Sequence, residues 1–447
     1  PLSAYPLQPQ LGETALATVE DAGPQQPGFN EYHPLFTQDG VYGAISGYGA
    51  ADGAWGNDLV GSVLAGPLAL SLGQFHYEAN GWRDNAKQEQ DLYNGLLQYQ
   101  VSPQLQLQYE HRELNWDTGY ITPELGVPLG RDEAEQIERD SDRVAVVMRP
   151  AADLAWALSL QDNEYELRRR SNVGSSDTTQ DGVDETAKVY EWQWLKRSDA
   201  YQLLFGLEYD DVEYRQGVVQ SLFQELGPGT FVQLDVNILQ QTEARYQNAY
   251  LYFNYQLQPQ LQLNTGLAYV KDDYEGLIDT AQVETFGTPL FTTVTPSGRV
   301  RAGDDEPDEW LPKLGLVYQV TEDHQVALAA MRSIARPDSV PRTLEPTLFS
   351  GFNQLFNDPE RTLAKSLALR WDGRMDDLAM GAAVMRRKLE IPVLDTDNGQ
   401  RLSSDYDEDS LDLYLYRPLG QEAALSVAGQ WLETEWDEGD AINLGVD

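Results

Sequence analysis

The stretch 241–275 alternates between apolar and polar residues along two long arms. In the first arm Ala249, Leu251, Phe253, Tyr255 and Leu257 alternate with Asn248, Tyr250, Tyr252, Asn254 and Gln256. In the second arm Leu261, Leu263, Leu267 and Tyr269 alternate with Gln262, Asn264, Gly266 and Ala268. A period of two residues predicts strands with one apolar and one polar face. Each arm has about 15 residues, whereas a usual strand has about 5–6 and a tilted strand that crosses a bilayer has ~9–11. The pattern therefore indicates a membrane-crossing β-hairpin.

Two classes of connection alternate along the rest of the chain. The short ones contain Pro, Asp, Ser or Gly, as hairpin turns require; they lie at 66–67, 102–103, 150–152, 197–199, 258–260, 321–324, 373–376 and 418–420. The long ones span 79–90, 115–138, 168–185, 216–240, 275–308, 337–360 and 391–406. Short turns at one rim and long loops at the other are typical of outer-membrane barrels. We therefore predict an all-β fold, a transmembrane antiparallel β-barrel of about 16–18 strands around an aqueous lumen.

This barrel is expected to occupy residues 39–447. Residues 1–38 contain six prolines and no persistent period, so we expect a linker or periplasmic segment that reaches a periplasmic partner or an upstream domain. Outer-membrane barrels usually finish on an aromatic residue, but this chain ends at Asn443-Leu444-Gly445-Val446-Asp447. Either the last strand is truncated or the strand count differs from our tally.

Composition narrows the possible functions. The sequence has 31 Lys and Arg against 72 Asp and Glu, a net charge of −41, which argues against nucleic-acid binding because phosphate contacts need clustered cations. Cysteine is absent, so disulfides and thiolate chemistry are excluded. No apolar run reaches the ~18 residues of a transmembrane helix, which is compatible with a barrel because half of each strand faces a polar lumen.

Aromatic residues recur near the ends of the predicted strands. Pairs such as Trp192 and Trp194, Tyr201 and Tyr209, or Tyr99 and Tyr109 occupy the apolar face. They are typical of the interfacial girdles of membrane barrels. The alternative is the ordinary enrichment of aromatic residues in strands.

Several short stretches resemble known outer-membrane proteins. WLPKLGLVYQVTEDHQVALAAMRSIARP (310–337) resembles barrel strands of TonB-dependent receptors, with Pro312 to Leu316 before the turn and Arg336-Pro337 at the end. LEPTLFSGFNQLFND (344–358), FNEYHPLF (29–36) and SLGQFHYEANGWRDN (71–85) resemble the barrels of tetratricopeptide-repeat-fused outer-membrane proteins. The resemblance implies a bacterial outer-membrane barrel. It also implies a plug of over a hundred residues before the barrel, whereas about 38 precede it here, so we expect a barrel without its plug.

Acidic runs in the predicted loops suggest a cation site. Residues 304–309 hold five acids and residues 405–409 hold four. Clustered carboxylates suit Ca²⁺, and the candidate ligands are Asp304, Asp305, Asp405, Asp407 and Asp409. Such a site could bridge to phosphates of lipopolysaccharide. The alternative is a solvated, self-repelling surface, which is typical of charge runs. Apart from this Ca²⁺, we expect no cofactor.

Two basic runs, Arg168-Arg169-Arg170 and Arg386-Arg387-Lys388, stand near the predicted outer ends of strands. They could line the rim or lumen of an anion path or contact anionic headgroups of the lipid bilayer. The alternative is local charge balancing.

No enzyme signature is present. His33, His76, His111 and His324 lack metal-binding spacing, and no nucleophile elbow or phosphate-binding loop occurs in a suitable context. We predict a channel or translocation pore for a hydrophilic solute or polymer. The alternatives are a plug-less uptake barrel similar to TonB-dependent receptors and an acidic structural or adhesive surface barrel.

Overall fold

The computed structural model describes residues 39–50, 53–81, 85–119, 134–173, 177–227, 230–286, 292–302, 308–336, 340, 343–354, 358–394, 401–419 and 424–436. Within these residues every regular element is a strand. The strands are β1 (Gly40–Gly49), β2 (Trp55–Ala65), β3 (Leu68–Ala79), β4 (Gln88–Ser102), β5 (Leu105–Gly119), β6 (Ala134–Ala151), β7 (Leu154–Val173), β8 (Asp177–Arg197), β9 (Tyr201–Gly227), β10 (Thr230–Gln258), β11 (Leu261–Phe286), β12 (Thr292–Ala302), β13 (Glu309–Thr321), β14 (His324–Ile334), β15 (Leu348–Phe349), β16 (Phe352–Asn353), β17 (Leu363–Met375), β18 (Leu378–Leu394), β19 (Arg401–Pro418) and β20 (Ala424–Trp436). A search of the described residues found no helix of the length and apolarity needed to cross a membrane.

Eighteen strands form one antiparallel sheet, and β15 pairs with β16 outside it. Each strand of the large sheet pairs with its neighbour in sequence, except where β11 has two later partners. The first half of β11 (261–270) pairs with β13 and its second half (276–285) pairs with β12. β12 therefore extends the sheet only at its outer end. The other 17 strands form the continuous wall. The barrel confirms the predicted fold class and strand number.

The tight turns predicted from sequence join the strands at one rim. β2 and β3 are joined at 66–67, β4 and β5 at 103–104, and β10 and β11 at 259–260. By the barrel rule this short-turn rim is the periplasmic one. The predicted linker 1–38 and the chain end 437–447 lie outside the described residues, so both predictions stay predictions.

The opposite rim differs from the sequence prediction. Residues 168–185 and 216–240 were predicted as loops, but β7 continues to Val173 and β8 starts at Asp177, while β9 and β10 stay paired up to Gly227 and Thr230. Ladder hydrogen bonds join backbone atoms, so a hairpin that is wetted on both faces needs no apolar alternation. β10 has 29 residues, about 95 Å at the usual rise per residue, so most of it extends beyond the bilayer.

The two faces of each strand separate as predicted. On β10, Tyr250 and Tyr252 are buried in the lumen, whereas Leu251, Tyr255 and Leu257 are exposed on the outer face. Outward aromatic residues form two bands. Tyr201 and Tyr209 lie eight residues apart on β9, as do Trp310 and Tyr318 on β13, a spacing of about 27 Å along the strand that tilt shortens to about 20 Å. This matches the girdle prediction.

Candidate functional site

One connection from the outer rim folds into the lumen. Residues 343–354, here called the inner segment, lie between β14 and β17 and contain the β15–β16 pair. Its tip is a turn at Ser350 and Gly351, whose φ angles are 51° and 87°. The side chains of Leu344, Phe349 and Phe352 are buried. The inner segment therefore behaves as part of the core rather than as a surface loop.

The contacts of the inner segment descend along the lumenal wall towards the periplasmic rim. Near its start, Thr343 Oγ1 and the Leu344 N–H each donate to Glu191 Oε1 of β8 over 2.6 Å. At its tip, Asn264 Nδ2 of β11 donates to Ser350 Oγ over 2.8 Å. Asn264 is three residues from the periplasmic turn that precedes β11. The inner segment thus runs through the lumen almost to the short-turn rim.

Glu345 is the centre of a buried polar network. Its Oε1 accepts from Tyr252 Oη over 2.5 Å and lies 3.2 Å from Lys313 Nζ. Its Oε2 accepts from Asn248 Nδ2 and from Arg336 Nη2, each over 2.9 Å. Burial disfavours the charged carboxylate, but Lys313, Arg336 and the two hydrogen bonds outweigh burial and hold the pKa of Glu345 at about 2. Glu345 is therefore a carboxylate at neutral pH.

Arg336 extends this network to the wall. Its Nη1 donates to Glu208 Oε1 of β9 while its Nη2 holds Glu345. Glu208 also accepts from Asn248 over 3.1 Å. All these side chains are buried, and loss of one partner of a buried ion pair usually costs about 3–5 kcal/mol. The network thus fixes the inner segment to β9, β10 and β13 together.

Glycines on the lumenal wall make room for this packing. A Cβ on Gly206 would lie 2.1 Å from the Tyr250 ring, and one on Gly266 would lie 2.9 Å from the Tyr252 ring. A Cβ on Gly315 would lie 1.9 Å from Ser350 Oγ at the tip. The two tyrosine rings and the tip therefore lie against bare backbone of neighbouring strands.

The first basic run is divided between the two faces of β7. Arg168 pairs with Glu166 at 3.2 Å and with Asp184, whereas Arg169 pairs with Glu135 of β6 at 2.6 Å. Arg168, Arg169 and Arg170 line a cavity of about 650 Å³ at the outer ends of β5–β9. Arg168 and Arg169 are thus already neutralised by neighbouring acids where they line this cavity.

The second basic run and one acidic run face each other. Residues 405–409 belong to β19 instead of a loop, and they pair in register with 386–390 of β18. Outside the barrel Asp407 lies 2.9 Å from Arg386 and 3.4 Å from Lys388, and Asp409 lies 3.8 Å from Arg386.

Arg387 of the same run points to the lumen, where it is buried and pairs with Asp358 and with Glu408. The two runs therefore balance each other's charge across the ladder. Ca²⁺ binding by Asp405, Asp407 and Asp409 stays a prediction, and Asp304 and Asp305 lie outside the described residues.

The structure also brings together a group that sequence spacing did not indicate. Ligand atoms of His111, Glu113 and Asp140 lie within 4.8 Å of one another on β5 and β6. Glu113 and Asp140 are cross-strand partners, and His111 is two residues from Glu113 on the same face. His111 Nδ1 also lies 3.1 Å from Asp142 Oδ1. The donor set suits a divalent cation, but His111 is already engaged by Asp142.

Sequence reasoning missed the lumenal network itself. Glu345, Arg336 and Lys313 were seen as parts of family-like stretches, and Glu191 and Glu208 were two among 72 acids. The sequence did contain one signal for such a network, namely a charged residue on the lumenal face of a predicted strand. Lys313, within Pro312 to Leu316, is the example. Such a charge buried in a wall needs a partner.

Comparisons with known proteins agree with this architecture. The family model described as TonB dependent receptor-like, beta-barrel matches residues 28–390. No curated protein matches the sequence. Among solved structures, the ferric yersiniabactin uptake receptor FyuA from Yersinia pestis is similar, with a TM-score of 0.62 and 14% identity over 93% of this chain and 63% of that one.

Two further solved structures show the same fold. The siderophore receptor PiuA from Acinetobacter baumannii has a TM-score of 0.59 and 12% identity over 90% of this chain and 64% of that one. The ferric citrate transporter FecA, in its unliganded form, has a TM-score of 0.56 and 10% identity over 89% of this chain and 59% of that one. The chain thus spans less than two thirds of the length of each of these three proteins.

The matched family and the similar structures are receptors and transporters rather than enzymes. The chain belongs to the family of TonB-dependent receptor-like β-barrels, which are proteins of the bacterial outer membrane.

Proposed function

We propose that this chain forms the membrane wall of an uptake receptor and that the inner segment restricts its lumen. The observation that carries the proposal is the buried network around Glu345, which fixes the inner segment across the interior. A general pore works best with an unobstructed aqueous lumen. A receptor barrel instead admits its solute through a controlled path, so the alternative uptake function is favoured over the simple channel predicted from sequence.

The proposed solute is a small metal chelate taken up with the help of a periplasmic partner. The support is similarity alone: the names of the similar structures refer to ferric yersiniabactin, a siderophore and ferric citrate. The predicted partners, namely the lipid bilayer, lipopolysaccharide and a periplasmic protein reached through residues 1–38, belong to this proposal.

Iron-limited growth tests the proposal. The full-length protein would be expressed in a bacterium that lacks its own ferric-chelate receptors, with ferric citrate and a panel of ferric siderophores as single iron sources. We expect at least one chelate to restore growth, and a protonophore to abolish short-term uptake of the ⁵⁵Fe-labelled chelate. Growth equal to that of the empty vector on every chelate, together with faster entry of small hydrophilic antibiotics, would contradict uptake and favour a general pore.

A surface role is the second candidate, because β9, β10 and β11 project far beyond the bilayer. These strands have 27, 29 and 26 residues, whereas about 9–11 suffice to cross. An adhesive function predicts that cells lose surface binding when the projecting halves of β9 and β10 are replaced by a short turn. Unchanged chelate uptake by that variant would separate the two functions.

A further inference from the structure

A second cavity lies below the inner segment, at the periplasmic end of the lumen. This lower cavity has a volume of about 420 Å³, within the range of small-molecule sites. Its roof is the stretch 346–351 of the inner segment, and its walls are residues of β8–β11, β13, β14 and β17. Arg197 ends β8 and Gln202 is the second residue of β9, on either side of a short turn. The cavity therefore lies at the periplasmic rim.

The lining of the lower cavity differs in charge from the rest of the chain. It contains Arg197 and Arg370, and none of the described residues that line it is Asp or Glu. The whole sequence carries a net charge of −41. A cavity wall with two arginines and no carboxylate is therefore not explained by composition, and only Arg370 is balanced by a nearby acid, Asp372. Local placement of arginines in a strongly acidic chain points to an anionic occupant.

Polar groups of the lower cavity are available for a ligand. Arg370 is partly engaged, since its Nε donates to Asp372 over 2.6 Å and its Nη1 to the Gly351 carbonyl over 2.9 Å. In contrast, the guanidinium of Arg197 has no ion pair within the part of the chain that the structure describes. Gln202 is the cross-strand partner of Arg197, and Asn254 is the partner of Gln202. The amides of Gln202 and Asn254, which also line the cavity, make no side-chain hydrogen bond to other described residues. A planar guanidinium with neighbouring amide donors suits a carboxylate.

We propose that the lower cavity binds a small organic anion with one or more carboxylates, held by Arg197 and the free amides and reached from the periplasmic side. Arg370 lines the same cavity from β17, where its guanidinium holds the Gly351 carbonyl of the roof. This site goes beyond the uptake function and does not depend on it, so its binding can be measured without transport.

The test measures the binding of two small molecules with the same carbon skeleton to the purified full chain in detergent. Succinate carries two carboxylates, whereas succinamide has the same carbon chain without charge. Ligand-observed NMR and calorimetry would give both Kd values. We expect the Kd of succinate to be at least tenfold lower than that of succinamide, and Arg197→Gln to remove this difference. Arg197→Lys should keep part of it because the charge remains.

Arg374→Gln is the matched control. Arg374 lies four residues after Arg370 on β17 and does not line the lower cavity. Its Nε donates to the Asp376 carbonyl over 3.2 Å. Its replacement should change the Kd of succinate by less than twofold. Equal affinity for the two probes, no measurable binding of succinate, or an unchanged Kd in Arg197→Gln would each overturn the proposal.

Discussion

Lys313 Nζ lies 3.2 Å from Glu345 Oε1 in the interior of the barrel, and both side chains are almost completely buried. The pair joins the wall strand β13 to the inner segment. Lys313 Nζ also donates to Tyr252 Oη over 2.6 Å, so the same ammonium group reaches β10. A charge pair of this kind stabilises one arrangement strongly, since removal of either partner leaves an unpaired buried charge.

Glu345→Gln should loosen the inner segment. The change leaves Lys313 and Arg336 without their carboxylate, which costs about 3 kcal/mol or more and raises the open population roughly 100-fold. Chymotrypsin cleavage after Phe349 and Phe352, followed by mass spectrometry, measures this opening when reclosing is fast. Glu322→Gln, in the exposed turn between β13 and β14, is the control and should leave the cleavage rate unchanged. A Glu345→Gln rate within twofold of the wild type would show that the network does not hold the segment.

Acid should release the inner segment only near pH 2. The pKa of Glu345 lies at about 2 in the folded chain, below its ordinary value of about 4.3. A lowered pKa gives stability that is full above the unfolded value and is lost as the pH falls through the folded value. Pepsin cleavage within 343–354, relative to cleavage in an exposed turn, should therefore stay low from pH 4 to pH 3 and rise towards pH 2. A midpoint near pH 4 would mean that Glu345 titrates as an exposed carboxyl.

Gly315→Ala should displace the tip of the inner segment. The added Cβ would lie 1.9 Å from Ser350 Oγ and 2.8 Å from Ser350 Cβ, and overpacking of this kind costs about 1–3 kcal/mol. Thermal unfolding followed by circular dichroism should show a lower Tm, and a second change, Ser350→Gly, should restore much of it. Gly61→Ala has no atom within 4 Å of the new Cβ and should leave the Tm unaffected. If both alanine variants lower the Tm equally, the tip does not lie against Gly315.

Arg387→Gln should cost more stability than Arg386→Gln, although the two residues are adjacent. Arg387 is buried and pairs with Asp358 and Glu408, so its loss should cost about 3 kcal/mol. Arg386 is half exposed beside Asp407, and exposed ion pairs contribute about 0–1 kcal/mol. Urea unfolding of both variants measures the difference. Equal destabilisation would contradict the opposite orientation of these two side chains.

The sequence predicted those features that depend on neighbouring residues. Alternation at Ala249 to Leu257 identified strands and both faces of β10, because the period of two is a local property. Residues 216–240 were mistaken for a loop, because strands wetted on both faces lose the apolar signal while their backbone pairing persists. The pairing of Asp407 with Arg386 required the register of β18 and β19, which no local pattern specifies.

The lumenal network could not be predicted from the sequence. Glu345 meets Tyr252 across 93 residues of sequence, and Arg336 meets Glu208 across 128. These residues come into contact only because the inner segment folds into the barrel. Lys313 on a lumenal face gave a hint that a partner was needed, but the identity of that partner depends on the complete fold.

The most direct test of the central claim is single-channel conductance in a planar bilayer. Ile334 and Leu363 are cross-strand partners, so residues 335–362 can be replaced by a short Gly-Ser turn without separating β14 from β17. If the inner segment restricts the lumen, the wild-type chain inserts with little conductance, and the variant shows steady, severalfold larger openings. Large and equal conductance of both proteins would mean that the lumen is already open and would contradict the account.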